Sequence, residues 1–143
     1  NRLQKDVQIV SLEDIKSGAY LETMLEREID SIVLAGYLKL VPEAYVKAFD
    51  QRIINVHPAL LPKYGGKGMY GERVHKAVLE AKEAETGISI HLVNQRYDEG
   101  RILAQFSLTI EPSESLKSLQ AKIHSLENTY LPVVVEQYLL NQL

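Results

Sequence analysis

Two side chains that hydrogen-bond strongly, Asn55 and His57, stand two positions apart in the sequence. They lie in residues 52–57, whose apolar pattern predicts a β-strand, and residues two apart in a strand project from the same side. An amide beside a protonated imidazole offers two donors to a negatively charged oxygen that forms during a reaction. The alternative is structural: Asn55 ends the strand, and His57 is a half-buried packing residue. Spacing alone favours the structural alternative, so both interpretations stay open at this point.

A carboxylate that could join this pair is Asp98, in the turn sequence Tyr-Asp-Glu-Gly at residues 97–100. Aspartate is common in turns simply because it forms them. If Asp98 instead reaches His57, its charge favours the imidazolium form and raises the pKa of the histidine. His91 alternates with Ser89 along a neighbouring predicted strand. It either lines the same cleft or is a polar residue on a partly exposed face.

The other candidates for chemistry point to no further centre. His75 and His124 fall on predicted helices, where a solvated position is the expectation. No two of the four histidines have the spacing that places two metal ligands on one helix face, and no carboxylate-rich loop accompanies them, so no metal site is predicted. Residues 65–68 lack the ending of a phosphate-binding loop, which favours a flexible loop beside the site. Ser89 lacks the surroundings of a nucleophilic serine, which favours a hydrogen-bonded strand hydroxyl.

The helices and strands that position Asn55, His57, His91 and Asp98 are predicted in the order αβαβαββαα. This order indicates an α/β fold with three layers, a mostly parallel sheet flanked by helices, and one hairpin late in the chain. No repeat or linker appears, so residues 1–143 are predicted to form a single domain. The periodicity predicts helices over 18–29 behind an N-cap at Ser17, over 42–49 and over 72–83. It also predicts a long helix through Leu116, Leu119, Ile123 and Leu126 and a last helix from Pro132. Strands are predicted over 31–35, 52–57, 87–94 and 101–110.

The composition excludes several classes of protein. The chain has 143 residues, of which 45% are apolar and 24% charged, as in an ordinary soluble globular domain. Sixteen Lys and Arg against nineteen Asp and Glu give a net charge of −3, so nucleic acid is not an expected partner. The longest apolar run, residues 32–38, is far shorter than the roughly 20 residues of a membrane helix. We therefore expect no association with a membrane and a cytoplasmic location. The absence of cysteine excludes disulfides, zinc fingers and thiol nucleophiles.

Residues 54–64, Ile-Asn-Val-His-Pro-Ala-Leu-Leu-Pro-Lys-Tyr, resemble the signature of the phosphoribosylglycinamide formyltransferase family, also called glycinamide ribonucleotide transformylases. Residues 33–41 resemble the folate-contacting strand and loop of that family, and residues 87–93 and 98–100 resemble its later strand and turn. The resemblance implies a Rossmann-like formyltransferase fold. It also implies a metal-free reaction of purine biosynthesis in which the amine of glycinamide ribonucleotide attacks the formyl carbon of the cosubstrate 10-formyltetrahydrofolate.

The same resemblance implies roles for individual residues. Asn55, His57 and Asp98 would be catalytic: the Asn55 amide and protonated His57 would stabilise the oxyanion, and Asp98 would keep His57 protonated. His91 would lie beside the reacting centre. The substrate-binding residues implied are Leu38, Lys39, Leu40 and Val41 beside the pterin, and His124 and Glu127 at the ribonucleotide.

The chain also departs from the family pattern. Lys39 stands where arginine is usual, and Asn128 and Leu131 stand where a histidine and an aromatic residue are usual. Family members open with a strand and a glycine-rich loop that cradles the substrate phosphate, and nothing like this precedes Asn1. We therefore expect residues 1–143 to lack the first strand or strands and the phosphate loop, as the C-terminal majority of a longer chain.

Three other functions stay open. A methionyl-tRNA formyltransferase would use the same three catalytic residues, but the mild acidity of the chain disfavours an RNA substrate. In a formyltetrahydrofolate hydrolase, water would replace the amine. A non-catalytic folate-binding fragment would have no need of an imidazole and a carboxylate in one cleft. Small-molecule substrates are the only partners predicted, and the sequence leaves the oligomeric state open.

Overall fold

The computed structural model describes residues 5–141, which form five helices and four strands. Four strands make one sheet, and the helices lie on its two faces. In chain order the elements are α1 (Leu12–Ser17), α2 (Ala19–Glu26), β1 (Ile32–Leu34), α3 (Glu43–Ala48), β2 (Ile53–His57), α4 (Glu72–Glu80), β3 (Glu85–Leu92), β4 (Ile102–Thr109) and α5 (Leu116–Leu139).

The sheet has the spatial order β1-β2-β3-β4 and is mixed. β1 and β2 are parallel, joined by the crossover that contains α3, whereas β2 with β3 and β3 with β4 are antiparallel. The predicted α/β fold and the late hairpin are therefore confirmed, but among the described strands the sheet is not mostly parallel. The reason lies in the direction of β3: the segment that contains α4 returns the chain beside β2 with reversed polarity, and the hairpin then reverses it again.

Alternation along β2 divides the apolar core between the two faces of the sheet. Ile54 and Val56 pack with α4 and α5 on one face, and Ile53 packs with α3 on the other. Strand residues buried on both faces give the unalternating apolar run seen in the sequence. Burying each isoleucine fully contributes about 1.5–3 kcal/mol, so β2, which carries the predicted site residues, is held firmly from both sides.

Two helix boundaries differ from the prediction, and both concern residues that usually interrupt helices. The predicted helix over 18–29 is α2, which is shorter, and the sequence analysis missed α1 before it; Gly18, at φ 83°, ends α1 and begins α2. The N-cap of α2 is Gly18 and not the predicted Ser17, whereas α1 is capped by Ser11, whose side chain accepts the backbone N–H of Asp14. Pro132 begins no new helix; it lies inside α5, which continues because Val134 beyond it is buried in the same core. None of the helices described, α5 included, is long and apolar enough to cross a membrane.

Candidate active site

The end of β2 and the facing part of β3 bring an amide and an imidazole together. The antiparallel register pairs Asn55 with His91 across the two strands. Asn55 Nδ2 lies 3.1 Å from His91 Nε2, and His91 Nδ1 lies 2.9 Å from the carbonyl oxygen of Leu92. Because a carbonyl only accepts, Nδ1 of His91 donates to Leu92, and Nε2 accepts from the Asn55 amide. His91 is 2% exposed, so it lines the cleft and is not on a partly exposed face.

His57 ends β2 with both ring nitrogens directed at oxygen atoms. Its Nε2 donates to the carbonyl oxygen of Tyr64 at 2.7 Å, and its Nδ1 lies 3.5 Å from Asp98 Oδ2. The side chain is buried, with 3% of the residue exposed. A neutral imidazole has a single N–H, so only the imidazolium satisfies both oxygens at once. The two oxygens therefore favour a positive charge on this ring.

Asp98 lies between the two histidines in the connection from β3 to β4. Its Oδ1 is 3.6 Å from His91 Nε2, and its Oδ2 accepts the backbone N–H of Gly66 at 2.9 Å. The close approach depends on Gly65, since a Cβ there would lie 2.5 Å from the Leu61 side chain and 3.3 Å from the Asp98 Cβ. Asp98 is thus both a turn residue, at φ 55°, and the carboxylate that faces His57.

The loop after β2 is fastened to the sheet by two polar side chains. The Ser89 hydroxyl accepts the backbone N–H of Leu61 at 2.9 Å and donates to the carbonyl of Ala59 at 2.7 Å. Gln105, on β4, donates to the Leu61 carbonyl at 3.0 Å and to the Ser89 hydroxyl at 2.8 Å. The prediction that Ser89 is a hydrogen-bonded strand hydroxyl is confirmed. Sequence analysis missed Gln105, whose only signal is a polar residue in the middle of an apolar strand.

Burial as well as charge sets the pKa values of His57 and Asp98. Burial lowers the pKa of His57, and this outweighs the nearby Asp98 charge and the Tyr64 carbonyl, which raise it. Asp98 therefore acts on His57 in the predicted direction, but the cost of desolvating the imidazolium is larger than the attraction of the carboxylate. For Asp98, burial alone would raise the pKa, but His91, His57 and the Gly66 N–H together lower it. At pH 7 both directions favour a neutral His57 beside an ionised Asp98.

These side chains open into a cavity of about 490 Å³. Every residue to which the sequence analysis gives a catalytic or substrate-binding role lines it: Leu38, Lys39, Leu40, Val41, Asn55, His57, His91, Asp98, His124 and Glu127. Burial raises the pKa of Glu127, and His124 partly offsets this. Residues 5–141 contain no group of three or more His, Cys, Asp or Glu side chains placed to hold a metal ion.

Sequence analysis missed other parts of the lining. His75, expected on a solvated helix face, is 3% exposed and lines the cavity, because α4 turns this position toward the site. Tyr37 and Tyr97, which follow the predicted strands over 31–35 and 87–94, also line the cavity. The only signal for the two tyrosines is that they neighbour residues already singled out, Leu38 and Asp98.

The depressed histidine pKa values predict how stability depends on pH. Burial lowers the pKa of His57 and of His75 below the ordinary 6.5. Below about pH 6.5 the unfolded chain therefore binds more protons than the folded chain, and the free energy of unfolding falls as the pH falls. Urea unfolding at pH 7.5 and pH 5.5 measures this loss. It should shrink in His57→Gln and in His75→Gln, and an equal loss in all three proteins would show that these histidines are not the cause.

The model of the family described as formyl transferase matches residues 10–135 of the chain. The chain belongs to the formyl transferase family. Among the formyl transferases it resembles, phosphoribosylglycinamide formyltransferase of Arabidopsis thaliana is 49% identical over 107 residues, which are 74% of this chain and 37% of that protein. The Bacillus subtilis enzyme of the same name is 34% identical over 121 residues, 85% of this chain and 60% of that protein.

A solved formyl transferase structure agrees with the fold. Phosphoribosylglycinamide formyltransferase from Bacillus halodurans superimposes with a TM-score of 0.78 at 32% identity, over 86% of this chain and 61% of that one. This chain therefore spans from 37% to 60% of the length of the two curated relatives just named.

Proposed function

We propose that the protein transfers the formyl group of 10-formyltetrahydrofolate to the amine of glycinamide ribonucleotide. The observation that carries the proposal is the convergence of Asn55, His57 and Asp98 in one cavity of a formyl transferase. The relatives' names support the choice of acceptor. The signature at residues 54–64 supports it as well.

The reaction asks the protein to control charge and does not need a nucleophile from it. When the amine nitrogen bonds to the formyl carbon, the formyl oxygen becomes negative and the nitrogen becomes positive. Hydrogen-bond donors held in place before the reaction stabilise such an oxygen best. The donors in this proposal are the Asn55 amide, which also donates to His91, and the His57 Nε2–H, which is shared between the Tyr64 carbonyl and the formyl oxygen. The neutral amide binds the ground-state carbonyl weakly and the oxyanion strongly, and this difference accelerates the reaction.

His57 also carries the proton. The neutral ring carries its proton on Nε2, so Nδ1, which faces Asp98, accepts a proton from the positive nitrogen of the tetrahedral intermediate. The resulting imidazolium stabilises the oxyanion. The carbonyl re-forms as the bond from the formyl carbon to N10 of the folate breaks, and the proton passes to N10. The products are formylated glycinamide ribonucleotide and tetrahydrofolate. A neutral resting His57 suits this role, because a group that is already protonated cannot accept the proton.

The two substrates divide the cavity in this proposal. Residues 38–41, three of them apolar, border the pterin and present Lys39 at its edge. His124 and Glu127, both on α5, hold the ribonucleotide. The support for this division is that both groups line the same cavity as the catalytic residues. α5 packs on one face of the sheet, and Val41 packs on the other.

The test is an assay of the full-length protein with 10-formyltetrahydrofolate in the presence and absence of glycinamide ribonucleotide. We expect tetrahydrofolate to appear only when the amine is present, in equal amount with the formylated product. Tetrahydrofolate released without amine would identify a hydrolase. Formylation of methionyl-tRNA in place of the ribonucleotide would identify the tRNA enzyme, and binding of formyl folate without any turnover would leave a folate-binding protein.

A further inference from the structure

His75 is a buried imidazole that lines the cavity but has no role in the mechanism above. It lies in α4, is 3% exposed, and lines the cavity together with His57 and His124. Its Nδ1 is buried without a hydrogen-bond partner. Within residues 5–141, no side chain or backbone group makes a hydrogen bond to its Nε2 either. Burying an imidazole without partners costs free energy, so the position calls for an explanation beyond packing.

The surroundings of the ring decide which nitrogen carries the proton. A buried N–H without a partner is rarer than a buried acceptor without one, so the lone pair belongs on Nδ1 and the proton on Nε2. Because Nδ1 is enclosed, Nε2 is the nitrogen that the cavity-lining side of the ring presents to a ligand. Burial first, and then the charges of His124 and His57, lower the pKa of His75, so the ring is neutral at pH 7. His75 thus offers the cavity one N–H donor and no charge.

We propose that His75 is a specificity residue whose Nε2–H donates a hydrogen bond to an oxygen atom of the amine substrate. This inference rests on the proposed function. His75 lies on α4, which packs against α5, the helix of His124 and Glu127. Residues 38–41, to which the proposal assigns the pterin, follow β1, and Val41 packs in the core on the other face of the sheet. The sugar and amide of the acceptor are rich in oxygen acceptors, and a site that donates to them rejects amines that lack them.

The test compares two substitutions in the full-length protein. His75→Phe keeps the ring but removes the donor, and we expect it to raise KM for glycinamide ribonucleotide about tenfold, the effect of one lost hydrogen bond. KM for 10-formyltetrahydrofolate should stay within about twofold. His75→Gln, whose side-chain amide places an N–H near the position of Nε2, should recover most of the lost affinity. Lys76→Gln, next on the same helix and paired with Glu72 on the surface, is the matched control and should behave as wild type.

Each result decides between the alternatives. Unchanged KM values in His75→Phe, equal increases for both substrates, or no recovery in His75→Gln would overturn the role of His75 while leaving the proposed function intact. A wild-type protein that transfers no formyl group would overturn the proposed function and this role with it. If His75→Phe does not fold, the wild-type protein labelled with ¹⁵N-histidine answers the question. The His75 Nε2–H resonance should shift on adding glycinamide ribonucleotide alone, and an unmoved resonance would refute the contact.

Discussion

Replacing His57 by alanine should lower kcat for formyl transfer by about 100- to 1000-fold, the effect of removing a donor to a developing oxyanion. The substitution also removes the group that takes the proton from the attacking amine, so the upper end of this range is expected. The donor and the proton acceptor both act after the substrates are bound. KM for each substrate should therefore change only a few-fold. Steady-state kinetics with each substrate varied in turn measure the two effects separately.

Lys63→Ala is a suitable control for His57→Ala. Lys63 lies on the loop that follows His57, and its exposed ammonium pairs with Glu83 away from the cavity. The control should retain kcat. If His57→Ala instead raises KM and leaves kcat unchanged, His57 only binds substrate, and its place in the mechanism would be wrong.

Replacing Asp98 by asparagine should lower kcat by about 100-fold, toward the lower end of the same range. The amide oxygen can still accept the Gly66 N–H, so the turn is preserved, but the negative charge beside His57 is lost. Without that charge the imidazolium that forms during transfer is less stable, and the pKa of His57 falls further. The acid limb of the kcat/KM profile, set by protonation of His57, should therefore move to lower pH.

Glu99→Gln is the matched control for Asp98→Asn. It removes the neighbouring carboxylate in the same turn, which pairs with Arg96 on the surface and does not line the cavity. We expect wild-type kcat for Glu99→Gln. Equal losses in the two variants would attribute the effect to the turn and not to the charge that faces His57.

The catalytic candidates could be predicted from the sequence because strand geometry is local. Positions two apart in a strand share a side, so the sequence alone predicts that Asn55 and His57 lie together. That Asp98 reaches His57 depends on the register between β2 and β3 and on the close approach of Gly65. Residues far apart in the chain set both features, and in the sequence only the family resemblance indicated the contact.

The ionisation of His57 could not be predicted in the same way. The sequence indicates which charge lies near the imidazole, but the pKa also depends on how deeply the ring is buried. That burial comes from the loop after β2, which Ser89 and Gln105 fasten to the sheet. The carbonyl of Tyr64, which accepts from His57, is likewise a backbone group that no residue type indicates.

The fold shows the same division between local and long-range information. Most element positions follow from periodicity, because each helix or strand shows its own apolar pattern. The direction of β3 does not, since an apolar run is compatible with either polarity beside β2. At Pro132 tertiary packing outweighs local preference. Proline favours the end of a helix, but α5 continues through it because Val134 is buried in the core.

The most direct test of the account is a double-mutant cycle on kcat with His57→Ala, Asp98→Asn and the double variant, all in the full-length protein. The central claim is that Asp98 acts on the reaction through His57. Once His57 is absent, Asp98→Asn should therefore cost little more, and the double variant should be about as slow as His57→Ala alone. If the two losses multiply, Asp98 acts independently of His57, and the proposed transfer of charge and proton through this pair would be contradicted.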